Sequence, residues 1–305
     1  MDGILNIIKP PGMTSFDVAS YIGRRLGQRK TGHTGTLDPG ACGLITLCMG
    51  KATKAVEYLL SEDKTYIAQL RLGKTTDTLD ALGKVTSTAS YKYDRYKLEA
   101  VLEAFLGKTT QTPPMYSAVK MNGRRLYELA RRGIDVKREK REIHISDLRI
   151  IDDSDHSNIL IKTVCSKGTY VRSLMADIGE RYGCGAHMGF LLRTVNGAFD
   201  ISDAYTIEEI TSAADENRIS DLLIPLEKVF ENFDRIVLDH NKRTGFLNGV
   251  FLDGKNLGVV LDQAKKYAVY DQKGKLLGIG EIIEKGMKVY LKAKRLLLNT
   301  DEDIR

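Results

Sequence analysis

Residues 30–43 constrain this chain more than any other stretch. Four glycines and an Asp-Pro step run through Lys30-Thr31-Gly32-His33-Thr34-Gly35-Thr36-Leu37-Asp38-Pro39-Gly40-Ala41-Cys42-Gly43, and no apolar repeat of helical or strand period survives there. Such a segment must be a structured loop. Its proline restrains Asp38 toward an extended backbone, while the neighbouring glycines let the chain approach a ligand closely. Asp-Pro-Gly alone is simply a good turn, so any function has to come from what surrounds it. A phosphate-cradling loop is excluded by spacing: Gly50-Lys51-Ala52-Thr53 would need a glycine five residues earlier, where Ile45 stands.

The rest of the chain mixes periods. Residues 4–9 read as a short strand stopped by Pro10-Pro11-Gly12, and Thr14-Ser15-Phe16-Asp17 supplies capping chemistry for a helix to about residue 26. Apolar residues at helical spacing predict a helix over 44–60, followed by an alternating strand over 66–72. Asp77, Asp80 and Gly83 mark a loop. A helix over 97–106, an extended Pro-Pro segment over 109–119 and a short basic helix over 125–132 follow. Strands over 143–150 and 158–164 lead through a turn into a helix ending near 182, and 207–217 is a polar helix. No regular βαβ alternation appears, so the fold class is α+β with a mixed, largely antiparallel sheet. Beyond about residue 230 short strands with glycine turns, over 247–252, 267–270, 275–280 and 288–291, predict a small β-rich domain. The expected division is 1–230 and 231–305.

Charge narrows the partners. Between residues 118 and 141, nine cations face three anions, an excess that equals the whole net charge of +6. Lys120, Arg124, Arg125, Arg131 and Arg132, interleaved with Tyr116 and Tyr127, suit a phosphate backbone, although a solvated helix face has the same composition. Cys42, Cys48, Cys165 and Cys184 form no CxxC pair, and His33, His144, His156, His187 and His240 no metal-binding spacing, so neither a metal nor another cofactor is expected. The N-terminus lacks the pattern of a secretory signal and no apolar stretch approaches the length of a membrane span, which predicts a cytoplasmic protein. Nothing suggests an obligate protein partner, and a monomer is the default.

Five ordered segments carry a family resemblance. Asn6-Ile7-Ile8-Lys9-Pro10-Pro11-Gly12-Met13-Thr14-Ser15 comes first, then Gly32-His33-Thr34-Gly35-Thr36-Leu37-Asp38-Pro39. Lys64-Thr65-Tyr66 follows with Leu72-Gly73-Lys74-Thr75-Thr76-Asp77-Thr78-Leu79-Asp80, then Gln111-Thr112-Pro113-Pro114-Met115-Tyr116-Ser117-Ala118-Val119-Lys120. Cys165-Ser166-Lys167-Gly168-Thr169-Tyr170-Val171-Arg172-Ser173-Leu174 closes the series. Together they resemble the TruB pseudouridine synthases over residues 3–200, and the tail is similar to a short PUA domain, a small RNA-binding β module. One departure stands out: Leu191-Leu192-Arg193 occupies a position where the family usually has Leu-Arg-Arg.

The resemblance implies isomerisation of uridine to pseudouridine at position 55, in the T-arm loop of tRNA, by base flipping and without a cofactor. Bond breaking at an anomeric carbon is work that carboxylates do. Asp38 is the implied catalytic residue, either as nucleophile at the sugar or as base toward a sugar proton, ionised at neutral pH without special tuning. Arg172 is implied to hold that carboxylate, Tyr66 to stack on the uracil and assist removal of the C5 proton, and Tyr170 and Leu191 to wall the pocket. His33 is implied to fill the gap left by the flipped base. The alternative function is a tRNA-binding chaperone that remodels the elbow region using the same basic surface.

Overall fold

The computed structural model describes residues 1–121, 123–257 and 262–298. Strand β1 (Gly3–Lys9) stops at the two prolines, and α1 (Ser15–Arg25) begins from a reciprocal cap in which Thr14 and Asp17 exchange side-chain-to-backbone hydrogen bonds. β2 (Thr31–His33) and β3 (Cys42–Met49) bracket the glycine-rich loop. After α2 (Val56–Leu59) come β4 (Lys64–Leu72), β5 (Lys74–Thr76), β6 (Val85–Thr88), α3 (Arg95–Glu103) and β7 (Gly107–Gln111). A small outer hairpin, β8 (Lys120–Met121) with β9 (Arg124–Arg125), leads into α4 (Leu126–Ala130). Then follow β10 (Arg141–Asp152), β11 (Ile159–Cys165), α5 (Val171–Tyr182), β12 (Ala186–Asn196), β13 (Phe199–Asp200) and α6 (Ile207–Asp215). The C-terminal part holds β14 (Asp234–Leu238), α7 (His240–Leu247), β15 (Leu252–Asp253), β16 (Lys266–Asp271), β17 (Leu276–Lys285) and β18 (Lys288–Leu296).

Among the described residues, one sheet runs β1-β3-β12-β4-β11-β10-β7, with β2 on β3 and β13 on β12, and its pairings are antiparallel except β3 with β12. This is the expected α+β architecture with a largely antiparallel sheet. The second sheet runs β14-β16-β17-β18-β15. The two are joined by a buried cluster in which Ala55 and Tyr58 meet Phe230, Ala268, Tyr270 and Leu276, and by an ion pair of Arg295 with Glu57 at 2.7 Å. No helix among the described residues is long and apolar enough to cross a membrane.

Three expectations change. Residues 44–60 do not form one helix: they form β3, a 3-10 turn and the short α2. Both faces of β3 are covered, Ile45, Leu47 and Met49 packing with Val18 and Ile22 of α1, and Leu44 and Cys48 packing with Ala52, Leu59 and Phe199. A strand buried on both sides reads as a continuous apolar run, which period alone does not separate from a helix. The central strand β12 was not anticipated at all, because a bulge between Met188 and Leu191 breaks its alternation. Residues 247–252 are the end of α7 and a turn at Gly249 (φ +74°), with strand only at Leu252–Asp253. Asp239 caps that helix by accepting from the Lys242 backbone.

Candidate active site

The loop that presents Asp38 is held from beneath. Ser15, buried in the first turn of α1, accepts a hydrogen bond from the Leu37 backbone at 2.8 Å and donates to the Leu37 carbonyl at 3.3 Å. Lys9, fully buried at the end of β1, donates to the carbonyls of Pro10, Met13 and Pro39, and the Gly12 amide donates to Pro39 as well. The N-terminal motif is therefore folded onto the residue that follows Asp38. Burial pulls the Lys9 ammonium below its ordinary value, opposed by Cys42 and Asp38. A second tether comes from Asn196, whose amide donates to the Thr34 hydroxyl at 2.7 Å.

Above the loop, Arg172 makes the contact that organises the site. Its Nε lies 2.8 Å from Asp38 Oδ2 and its Nη1 3.5 Å from Asp80 Oδ2. Nη1 also donates to the Thr78 carbonyl and Nη2 to the Tyr116 carbonyl, at 3.1 and 3.0 Å. The side chain of Arg172 is 6% exposed and that of Asp38 is 39% exposed, so the cation is fixed in the interior while the carboxylate reaches open space. Burial raises the Asp38 carboxyl above the usual range, Arg172 opposes that rise and Asp80 adds to it.

Arg172 is aimed by its helix. Tyr170, at the N-cap of α5, exchanges two hydrogen bonds with Gln111, 2.8 Å to the Tyr170 amide and 3.0 Å from Gln111 Nε2 to the Tyr170 carbonyl. That pair fixes the start of the helix against the end of β7. Asp80 is held in turn by the Thr78 hydroxyl and the Leu82 amide. The turn that carries it contains Leu79 at φ 65°, a left-handed conformation costly for a branched side chain and retained here because its carbonyl accepts from the Met188 amide.

Tyr66 on β4 and Leu191 on β12 are buried in the same apolar cluster as Leu37, which precedes Asp38. Burial raises the Tyr66 phenol and the nearby Arg193 opposes the rise. His33 lies on β2, half-buried, with Nδ1 unpartnered among the described residues, and burial followed by Arg193 lowers its pKa. Leu192, where the family usually has arginine, is half-buried, and its Cδ1 lies 2.8 Å from the point a Cβ on Gly43 would occupy. Lys120, Arg124, Arg125, Arg131 and Arg132 are all exposed on the β8–β9 hairpin and around α4. Sequence reading gave no role to Asp80, Ser15, Gln111 or Arg193. Asp80, Ser15 and Gln111 lie inside the segments that carried the resemblance, whereas Arg193 lies beyond them, next to Leu192, the position that departed from the family pattern.

Over 98% of its length the chain aligns with Cbf5 in a Cbf5-Nop10-Gar1 complex, with a TM-score of 0.77, 24% identity and 86% of that chain covered. The Cbf5 of an archaeal box H/ACA sRNP Nop10-Cbf5 complex gives 0.73, 23% and 87%. The architecture is accordingly the pseudouridine synthase fold. Residues 24–171 match the TruB family pseudouridylate synthase (N terminal domain), and residues 172–231 match the tRNA pseudouridylate synthase B C-terminal domain. A tRNA pseudouridine synthase B of Clostridium acetobutylicum is 40% identical over 289 residues, 95% of this chain and 98% of its own length. That of Clostridioides difficile is 36% identical over 302 residues, 98% and 100%. The chain belongs to the TruB family. It is an isomerase that converts uridine to pseudouridine.

Proposed function

We propose that the substrate is tRNA and the target the uridine at position 55 of the T-arm loop, flipped out of its stack so that its C1′ meets Asp38. The observation that carries this reading is the 2.8 Å ion pair between Asp38 and Arg172, with the carboxylate facing open space and the cation buried behind it. The reaction breaks the bond from C1′ to N1, turns the base and rejoins it through C5. Asp38 serves at the sugar, by attack on C1′ or by taking a sugar proton. A deuterium isotope effect at the sugar separates these two routes. Tyr66 lies under the base and receives the C5 proton, Tyr170 and Leu191 bound the pocket, and His33 occupies the space the base has left. Lys120, Arg124, Arg125, Arg131 and Arg132 hold the phosphates of the arm, largely by shape and charge. Residues 231–305 act as a PUA-like RNA-binding domain beside a catalytic domain of residues 1–230, in a cytoplasmic monomer.

The test uses T-arm RNA tritiated at uracil C5, because the reaction is mass-neutral yet must release that hydrogen to water. Wild type releases tritium and Asp38→Asn falls by about 10⁴-fold or more. Unchanged release by Asp38→Asn removes Asp38 from the mechanism. If wild type binds and refolds tRNA but releases nothing from a folded T-arm, the chaperone function takes precedence.

A further inference from the structure

Arg193 is the largest fully buried side chain of the molecule's described residues, 1% exposed, and no carboxylate among those residues lies within 4 Å of it. A buried guanidinium without a counter-anion is costly by several kcal/mol unless other groups satisfy it. Nε donates to the Leu44 carbonyl at 2.7 Å and Nη2 to the Gly35 carbonyl at 3.3 Å. Both acceptors are neutral. Tyr66 lies directly opposite Arg193 in the antiparallel β4–β12 register, on the same face of the sheet and likewise buried, and the guanidinium opposes the upward pull of burial on its phenol. The cation cannot easily move away. A Cβ on Gly43 would stand 2.3 Å from the Arg193 carbonyl oxygen, so β3 and β12 run in close contact there, and a Cβ on Gly35 (φ +105°) would meet its Nη1 at 3.3 Å.

We propose that Arg193 is a positioning residue that acts through Tyr66, its fixed charge favouring negative charge on the phenol oxygen while hydrogen leaves C5 of the uracil. The inference rests on the proposed role of Tyr66. In that step the C5–H bond breaks, its proton passes to the phenolate oxygen, the released pair forms the C5–C6 double bond, and the C6–N1 π pair moves to N1, which takes up a proton from solvent. The phenol's own proton has gone to solvent beforehand. A phenolate formed in a dry pocket is disfavoured by burial, and a fixed cation beside it offsets that penalty. The absent counter-anion then has a reason: the charge that completes Arg193 is the one that Tyr66 develops during turnover.

The experiment compares wild type, Arg193→Gln, Arg193→Lys and Tyr66→Phe in single turnovers on T-arm RNA carrying hydrogen or deuterium at C5, across a range of pH. Arg193→Gln slows the reaction about tenfold or more, enlarges the C5 isotope effect and moves the rise of rate with pH to more alkaline values. Replacing Tyr66 in that variant by the more acidic 3-fluorotyrosine restores part of the rate. Arg193→Lys, which keeps the charge, retains the wild-type isotope effect and pH profile, and it serves alone should the glutamine variant fail to fold. A wild-type isotope effect and pH profile in Arg193→Gln, or a raised isotope effect in Arg193→Lys, overturns the proposal. If Tyr66→Phe releases C5 hydrogen at the wild-type rate, the role of Tyr66 itself fails. If Tyr66→Phe is slow and Arg193→Gln is not, only the inference about Arg193 fails.

Discussion

Two arginine-bearing regions of this molecule obey opposite rules. Arg172 sits in the interior, donates to two carbonyls and faces two carboxylates, contacts drawn from three separate parts of the chain. Arg124, Arg125, Arg131 and Arg132 lie in solvent, where Tyr127 receives Arg125 and Arg131 over its ring at 5.9 and 5.4 Å. A buried charge is tolerated only where fixed groups satisfy it, carboxylates and carbonyls alike in the case of Arg172, so its geometry is set before substrate arrives. An exposed charge costs nothing to leave unpaired and is free to meet a phosphate. On the proposed function, burial thus separates rigid chemistry from adaptable affinity, using one residue type.

The largest effect that tests this contrast belongs to the interior. Arg172→Met removes the partner of Asp38 and of Asp80 together and leaves two carboxylates facing each other. Loss of a partner from a buried pair costs about 3–5 kcal/mol, read as a lowered urea midpoint, and turnover falls with it. Arg172→Lys keeps the charge but lacks the fork that reaches Thr78 and Tyr116 as well as Asp38, and it recovers only part of the loss. If Arg172→Met is as stable as wild type, the interior charge is not fixed by its partners and the contrast collapses.

A carboxylate on the same helix sharpens it. Asp177, five residues beyond Arg172 on α5, has no ion pair among the described residues, and its pKa is raised from 3.8 to about 6, chiefly by burial, further by Glu180, against Lys140. The folded protein therefore binds this proton more tightly than the unfolded chain does. Its contribution favours folding at acidic pH and is lost as pH rises from about 4 to about 6. Asp177→Asn is expected to raise stability at pH 7 by about 1–3 kcal/mol and to change little at pH 4. Chemical denaturation at the two pH values checks it, and equal shifts at both would show that charge is not the cause.

How much of this was readable in the chain depends on distance along it. The cap formed by Thr14 and Asp17 and the alternation of β4, β10 and β11 are local, and both were legible as residue patterns. β3 was not, because coverage of both its faces erases the alternation that marks a strand. β12 was hidden by its bulge. The loop of Asp38 announced itself through glycine and proline, yet its supports did not: Ser15 reaches Leu37 across 22 positions, and Arg172 reaches Thr78 across 94. Asp80 reads as an ordinary turn residue until the fold sets Arg172 beside it. Arg193 offered no local signal either, since what distinguishes it is a missing counter-charge, which only the packed interior reveals.

Ser15→Ala tests how far the rigidity of the interior extends to the loop itself. The hydroxyl is the group that both accepts from and donates to Leu37, so its removal leaves a buried amide unpaired at a cost of about 1–2 kcal/mol. The loop stays tethered through Lys9 and Asn196. Turnover is expected to fall more than affinity for RNA, because the aim of Asp38 loosens while the basic surface is untouched. An equal loss in kcat and in binding would place Ser15 in general stability alone.

The smallest effect lies on the other side of the comparison. Arg131→Ala and Arg132→Ala remove exposed charges whose backbone contacts within α4 and its following turn persist, so thermal stability should move by no more than about 0.5 kcal/mol. If these cations hold phosphates, each substitution weakens tRNA binding by about 1 kcal/mol or less and lowers the slope of log affinity against log salt by about one. The rate in single turnover at saturating RNA is unchanged. That separation is the decisive part: a surface that supplies affinity without geometry loses binding and salt dependence together while leaving kcat alone. A fall in kcat at saturation would mean that the hairpin reaches into the site and that burial does not divide the two tasks after all.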